Sequence, residues 1–152
     1  METILLIGAM KCGTSSLYDW ITQHPQVCGC VTKEPEYFSR RQGHRLEVDR
    51  YDDLWEYDAA IHTCRIEGST GYTKFPDERG VPERIRDGGL NPRFIYMVRN
   101  PYERIASHLN HFRTVHGQQA GGLKEDSFMI SISQYHRQLE QFLTVFPDRS
   151  RY

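Results

Sequence analysis

Residues 4–16 read ILLIGAMKCGTSS, an apolar run that ends in a glycine loop carrying Lys11. A short apolar run bounded by a glycine is typical of a buried parallel strand. Residues 15–23 follow as a predicted helix, with three apolar side chains on one face: Leu17, Trp20 and Ile21. The loop therefore lies between a strand and a helix N-terminus. Unpaired backbone N–H groups and the helix dipole favour an anion at such a position, and a phosphate is the natural ligand.

Two common nucleotide-binding motifs do not fit this loop. A Walker A loop requires G-x-x-x-x-G-K-[ST], whereas here Thr14 follows Gly13 and Lys11 stands two positions before that glycine. The loop does not fit the dinucleotide pattern G-x-G-x-x-G either. The loop is therefore interpreted as a phosphate-binding loop of another kind, and a nucleotide kinase of the P-loop type is the weaker alternative.

A second strand and helix supply another candidate phosphate site. Residues 94–98 form an apolar run that Arg99 closes, and Asn100 and Pro101 suit the cap and first turn of a helix. Ser107 is predicted on the exposed face of this helix, with Arg104, His108 and His111. The opposite face is predicted to carry Ile105, Leu109 and Phe112. Arg99 and Ser107 can thus converge on one phosphate, although alone they equally fit a helix-entry ion pair and an exposed serine.

Together the two segments resemble sulfotransferases that use 3′-phosphoadenosine 5′-phosphosulfate (PAPS). The spacing of Lys11 and residues 13–16 is similar to their 5′-phosphosulfate loop, and residues 99–107 match their 3′-phosphate motif R-[ND]-P-x-x-R-x-x-S at every fixed position. The resemblance implies donor binding by the following residues: Lys11, Cys12, Gly13, Thr14, Ser15, Ser16, Arg99 and Ser107.

Two further segments, residues 33–38 and 66–72, resemble the branch that includes heparan sulfate sulfotransferases and many bacterial ones. In that branch an E-x-x-[FY]-F segment supplies the catalytic base, which implies this role for Glu34, although without the resemblance a surface carboxylate is the better interpretation. Lys11 is implied to neutralise the leaving phosphate, and Lys33 to hold Glu34 ionised or to assist the transferring group. Relatives often read E-K-[ST]-P-x-Y in the later segment, whereas this chain has Gly68 and Thr70 in place of the lysine and the proline.

The implied reaction moves a sulfuryl group from PAPS to an acceptor hydroxyl or amine and leaves 3′-phosphoadenosine 5′-phosphate (PAP). A carbohydrate or a small-molecule alcohol is the expected acceptor, and no metal is expected. Similar proteins continue with another strand where this chain stops, at residues 151–152. The alternative is therefore a truncated, non-catalytic nucleotide-binding or interaction module of the same fold.

Composition bounds the remaining choices. With 152 residues, of which 38% are hydrophobic and 26% charged, the chain suits one soluble domain over residues 1–152. A net charge of −1 argues against general binding to nucleic acid or membranes, and arginines at 40, 41, 45 and 50 are interpreted as a solvated loop. The four cysteines form no C-x-x-C pair and no membrane segment precedes the first strand, so a cytoplasmic protein with reduced thiols is expected.

Alternating strands and helices predict an α/β, P-loop-like three-layer fold with a central parallel sheet flanked by helices. The predicted strands are residues 3–7, 27–29, 65–67 and 93–98. The predicted helices are residues 15–23, 82–87, 101–112 and 132–146, and residues 113–126 are predicted as a flexible loop. Ligands of such sheets bind at the carboxyl ends of the strands, where both phosphate motifs lie.

Overall fold

A computed structural model of the chain describes residues 1–40, 48–117 and 123–149. Four parallel strands form one sheet in the order β2-β3-β1-β4. The strands are β1 (Glu2–Gly8), β2 (Val27–Gly29), β3 (Cys64–Gly68) and β4 (Arg93–Tyr96). The helices are α1 (Thr14–Ile21), α2 (Val81–Asp87), α3 (Pro101–His116), α4 (Leu123–Ser131) and α5 (Tyr135–Val145). Short 3-10 turns cover Tyr51–Leu54, Thr70–Thr73 and Pro147–Arg149.

The two faces of β1 belong to two separate cores, as the period of two in a strand requires. Leu6 packs with Tyr18 of α1 and with Ile66. Leu5 and Ile7 point to the other face, where they join a core that includes residues of α2 and α5: Val81, Ile85 and Phe142. Helices thus cover both faces of the sheet, and the predicted three-layer α/β architecture is confirmed.

Strand order determines where a ligand can reach the sheet. Strands β1 and β3 are neighbours, but the chain leaves them toward opposite edges of the sheet. After β1 it continues through α1 to β2, at one edge, and after β3 it continues through α2 to β4, at the other edge. A crevice outside the carboxyl ends of β1 and β3 follows from this divergence, and it is the usual ligand position in open parallel sheets. The glycine loop after β1 and the turn at Thr70–Thr73 after β3 both lie at this edge.

Two predictions on individual helix faces were wrong. Trp20 was predicted to share an apolar face with Leu17 and Ile21, but its side chain is 71% exposed because the buried face of α1 is centred on Thr14 and Tyr18. At about 100° per residue, Trp20 lies two positions from Tyr18 and thus far around the helix. Arg104 and His108 were placed on the exposed face of α3, but both are buried against α4. Hydrogen bonds to groups on α4 and just beyond it offset the free-energy cost of burying these polar side chains.

The segment predicted as a loop at residues 113–126 is partly helical. Helix α3 continues to His116 and α4 begins at Leu123, while residues 118–122 lie outside the described residues. The long helix predicted for residues 132–146 begins only at Tyr135. Of the predicted arginine-rich loop, residues 41 and 45 lie outside the described residues, as do residues 150–152 at the predicted chain end.

Candidate functional site

A cleft of about 440 Å³ lies at the carboxyl edge of the sheet and brings together the motifs that the sequence singled out. Six of the eight predicted donor-binding residues line it: Lys11, Gly13, Thr14, Ser15, Arg99 and Ser107. The predicted base Glu34 lines it as well. Segments far apart in the sequence therefore share one site.

The N-terminus of α1 provides the anion-binding end of the cleft. Gly13 caps the helix in a left-handed conformation, with φ 85°, and no side chain satisfies the first N–H groups. Lys11 also has a positive φ of 67°, and its ammonium has no ion-pair partner among the described residues. Free amides, the helix dipole and an unpaired cation together favour a phosphate or sulfate group here.

Cys12 and Ser16 stand apart from the other predicted donor-binding residues. The Cys12 side chain is 7% exposed and points at Tyr135, with 3.6 Å between Sγ and Oη. Its backbone N–H donates to the Ala9 carbonyl at 3.1 Å and so closes the loop internally. Ser16 is exposed on α1 and does not line the cleft. Neither side chain is brought to the site.

Arg99 and Ser107 form the second anion-binding part of the cleft. Asn100 caps α3, as predicted, since its side chain accepts from the N–H groups of Tyr102 and Glu103. Arg99 donates from Nε to Glu103 at 3.0 Å, which leaves its two terminal nitrogens without a partner in the part of the chain that the structure describes. The ion pair considered in the sequence analysis thus exists, yet it leaves a planar pair of donors available.

Backbone hydrogen bonds connect the two anion-binding parts. The Ala9 N–H donates to the Met97 carbonyl at 2.9 Å, and the Met97 N–H donates to the Gly8 carbonyl at 2.7 Å. These bonds extend the pairing of β1 and β4 past the strand ends, into the loops that carry Lys11 and Arg99. The distance between the two parts is therefore fixed by the sheet.

Glu34 is held by two side chains and one backbone contact. Lys33 Nζ lies 2.9 Å from Glu34 Oε1, and Thr70 Oγ1 donates to Glu34 Oε2 at 3.2 Å. The Glu34 N–H donates to the Gly68 carbonyl at 2.8 Å, and the residue takes a positive φ of 59°. The predicted pairing of Lys33 with Glu34 is present, although Lys33 does not line the cleft.

Three lining residues were not predicted as site residues: Met10, Thr70 and His111. Thr70 stands where relatives have proline, and its hydroxyl is the group that reaches Glu34. That departure from the motif was the available signal, since a threonine supplies a donor that proline lacks. His111 is exposed one turn beyond Ser107 on α3. Its spacing of four residues from Ser107 places it on the same helix face.

Buried carboxylates support the turn that carries Thr70. Glu67 is fully buried and accepts from Tyr51, Tyr72 and Ser69 at 2.7, 2.5 and 2.7 Å. Burial raises the pKa of Glu67, while the three hydroxyl donors oppose that rise. Glu36 is also buried, and burial raises its pKa to about 7.

Comparisons with known proteins identify the family of the chain. The family model of the sulfotransferase domain matches residues 1–151. The chain belongs to the sulfotransferase domain family. Mouse heparan sulfate glucosamine 3-O-sulfotransferase 3A1 is 27% identical over an alignment of 158 positions, gaps included, that covers 94% of this chain and 38% of that protein. Human carbohydrate sulfotransferase 15 is 36% identical over an alignment of 67 positions, gaps included, that covers 38% of this chain and 12% of that protein.

The fold of this sulfotransferase domain also occurs in a solved structure. A sulfotransferase crystal structure from Alicyclobacillus acidocaldarius aligns with a TM-score of 0.80 and 23% identity, over 96% of this chain and 69% of that one.

The chain spans less than two fifths of the length of the two curated relatives named above. Among the described residues no helix is long and apolar enough to cross a membrane, and no three His, Cys, Asp or Glu side chains are grouped to hold a metal ion.

Proposed function

We propose that this chain transfers a sulfuryl group from PAPS to a hydroxyl or amine of an acceptor. One observation carries the proposal. The cleft places the anion site at the N-terminus of α1, the free donors of Arg99 and Ser107, and the carboxylate of Glu34 around one volume. A nucleotide with phosphates at both ends of its ribose matches two separated anion sites, and Glu34 supplies the base that the acceptor requires.

The donor is proposed to bind through both anion-binding parts. The free N–H groups of α1, with Lys11, Thr14 and Ser15, would hold the 5′-phosphosulfate. Arg99 would hold the 3′-phosphate through its two terminal nitrogens, and the Ser107 hydroxyl would add a further donor. Cys12 and Ser16 remain in the proposal only through the backbone geometry of the loop, since their side chains point elsewhere.

The chemical step forms one bond and breaks one. The acceptor oxygen or nitrogen attacks sulfur, and the bond from sulfur to the 5′-phosphate oxygen breaks, so that PAP leaves with the electron pair. Glu34 takes the acceptor proton, while the Lys11 ammonium stabilises the charge that develops on the leaving phosphate. Lys33 and Thr70 each hold one oxygen of Glu34 and so orient the carboxylate toward the acceptor.

The acceptor is proposed to be a carbohydrate or a small-molecule alcohol. Support comes from the relatives, whose names give heparan sulfate glucosamine and carbohydrate as what they sulfate. No metal is assigned a role in the proposed step, and the cytoplasmic location expected from the sequence stays a prediction.

Nucleotide binding is the first test. Titration of the purified chain with PAP, followed by calorimetry and thermal melting, should give binding and a raised melting temperature. AMP, which lacks only the 3′-phosphate, should bind much more weakly. At about one hundred times its dissociation constant PAP should add roughly 2.7 kcal/mol of stability. Arg99→Ala should bind PAP and AMP equally weakly, and Arg93→Ala serves as the matched control because Arg93 is exposed and pairs with Glu2 away from the cleft.

Transfer is the second test. Radiolabelled PAPS and a panel of glycans and small alcohols should give labelled product with the wild-type chain. Glu34→Gln should lose transfer while still binding PAP, and Glu56→Gln, at an exposed position outside the cleft, should keep both. Binding of PAP without transfer to any acceptor would overturn the proposal in favour of a non-catalytic nucleotide-binding module. Preference for ATP over PAP would favour a nucleotide kinase.

A further inference from the structure

Glu36 makes two hydrogen bonds to the turn that contacts Glu34. Its backbone N–H donates to Ser69 Oγ at 3.0 Å, and its Oε1 accepts from the Gly71 N–H at 2.7 Å. Thr70 lies between those two contacts and donates its hydroxyl to Glu34 at 3.2 Å. The side chain of Glu36 is 3% exposed, and its φ of 53° is one that L-residues rarely adopt. The turn that contacts Glu34 is therefore held in place by hydrogen bonds to Glu36.

The carboxyl group of Glu36 lies close to the backbone at Gly71, and only one of its two oxygens has a hydrogen-bond partner among the described residues. A Cβ on Gly71 would lie 1.9 Å from Glu36 Oε2, so only glycine allows the carboxyl to reach the backbone there. Oε2 itself is buried and has no hydrogen-bond partner among the described residues. An ionised carboxylate with one unsatisfied buried oxygen is costlier than a neutral carboxyl, because the neutral form carries no buried charge and still accepts through Oε1.

The charges around Glu36 act in both directions. Glu34 and Glu67 face it and oppose a third negative charge, while Lys74 and the Gly71 N–H favour one. Burial is the largest effect, and together these contributions raise the pKa of Glu36 to about 7. The Glu36 carboxyl therefore changes its charge near neutral pH, next to the turn that contacts the proposed base Glu34.

We propose that Glu36 is a positioning residue whose neutral carboxyl holds the Ser69-Thr70-Gly71 turn so that Thr70 orients Glu34, and whose ionisation impairs the site. This inference rests on the proposed sulfuryl transfer. Ionised Glu36 adds a negative charge beside Glu34 and next to a cleft that must accept an anionic donor. Transfer should consequently decline as the pH rises through about 7.

The kinetic test compares wild type, Glu36→Gln and Glu36→Ala between pH 5.5 and 9. Gln imitates the neutral carboxyl, so this variant should keep the wild-type kcat at pH 6 and lose the alkaline decline. Ala removes the contact to Gly71 and should lower kcat roughly tenfold below the wild-type value at pH 6, as expected when an orienting hydrogen bond is lost, with no alkaline decline and little change in PAP affinity. Glu56→Gln is the matched control and should keep the wild-type profile. An alkaline decline retained in Glu36→Gln, or an unchanged kcat in Glu36→Ala, would overturn the inference.

A second readout does not depend on activity. The Gly71 amide NMR signal of the wild type should titrate with a midpoint near pH 7, and that titration should be absent in Glu36→Gln. A Gly71 signal that stays constant from pH 5.5 to 9 in the wild type would overturn the inference on its own. If the signal titrates and Glu36→Gln abolishes the titration but no acceptor is sulfated, it is the proposed function that fails.

Discussion

Tyr135 of α5 donates a hydrogen bond of 2.9 Å to the Arg99 carbonyl, and the same hydroxyl lies 3.6 Å from Cys12 Sγ. Cys12 belongs to the loop after β1 and Arg99 to the segment after β4, so one side chain contacts both anion-binding parts of the cleft. Burial raises the pKa of Tyr135 to about 12, which keeps the hydroxyl neutral and able to donate. Helix α5 thereby helps set the spacing of two sites that one nucleotide is proposed to occupy.

Tyr135→Phe should weaken PAP binding more than AMP binding. Only PAP engages both anion-binding parts, so only its affinity depends on their spacing. Loss of one hydrogen bond of this kind costs about 0.5–1.5 kcal/mol, which corresponds to a rise of roughly twofold to thirteenfold in the Kd of PAP. Calorimetric titration with both nucleotides measures the difference. Tyr57→Phe is the control, because Tyr57 also donates to a backbone carbonyl, that of His62, but lies outside the cleft. Equal weakening of PAP and AMP would contradict the spacing argument.

Removal of the Glu67 carboxylate should strongly destabilise the fold. Three hydroxyls converge on this fully buried group, and Glu67→Ala would leave those of Tyr51, Tyr72 and Ser69 without their acceptor. At about 1–3 kcal/mol for each unsatisfied buried group, the free energy of unfolding should fall by roughly 3 kcal/mol or more. Urea denaturation followed by circular dichroism measures this change. Glu67→Gln should lose less, since its carbonyl oxygen still accepts. Equal stability of Glu67→Ala and wild type would mean that the three hydroxyls find other partners.

Acid should destabilise the chain through His108. Its ring is 5% exposed, and burial together with Arg104 lowers its pKa from 6.5 to about 4. Between these two values the unfolded chain binds a proton that the folded chain does not, so stability is lost as the pH falls from 6.5 to 4. At about 1.4 kcal/mol for each pKa unit, the loss should reach roughly 3 kcal/mol. Urea denaturation at pH 6.5 and 4.5 should give a smaller acid loss in His108→Gln than in wild type. His136→Gln, at an exposed position, should behave as wild type, and an acid loss in His108→Gln equal to that of wild type would exclude His108 as its source.

The sequence predicted the elements around both phosphate motifs because their signals are local. An apolar run, a glycine loop and an Asn-Pro cap each act within a few residues, and the sheet, α1 and the start of α3 follow them. The burial of Arg104 depends instead on a distant partner, since its guanidinium donates to Ser133 Oγ and to the Met129 carbonyl, both at 2.7 Å. Arg104 was predicted as exposed because one acceptor lies in α4, a helix that was not predicted from the sequence, and the other lies just beyond it.

The site was predictable to a similar extent. Motif positions predicted that Lys11, Glu34 and Arg99 belong to one site, and all three line the cleft. The contribution of Thr70 could not be predicted from spacing, because it depends on a turn after β3 meeting a loop after β2. Glu36 was read only as part of a motif, since the burial of a carboxyl depends on the backbone packed around it.

Alanine substitutions at Gly8, which ends β1, and at Gly13, which caps α1, should have unequal effects. A Cβ at Gly8 would lie 2.2 Å from Thr73 Oγ1, and that hydroxyl cannot move freely because it donates to the Ile7 carbonyl at 2.7 Å. At Gly13 the nearest atom to a new Cβ is Met97 Cε at 3.8 Å, so only the left-handed φ of 85° opposes the substitution. Gly13→Ala should therefore cost about 1–2 kcal/mol of unfolding free energy. Gly8→Ala should cost clearly more, because the same kind of backbone strain is joined by the clash. Urea denaturation of both variants measures the order, and equal losses would show that the turn at Thr73 yields to the added methyl group.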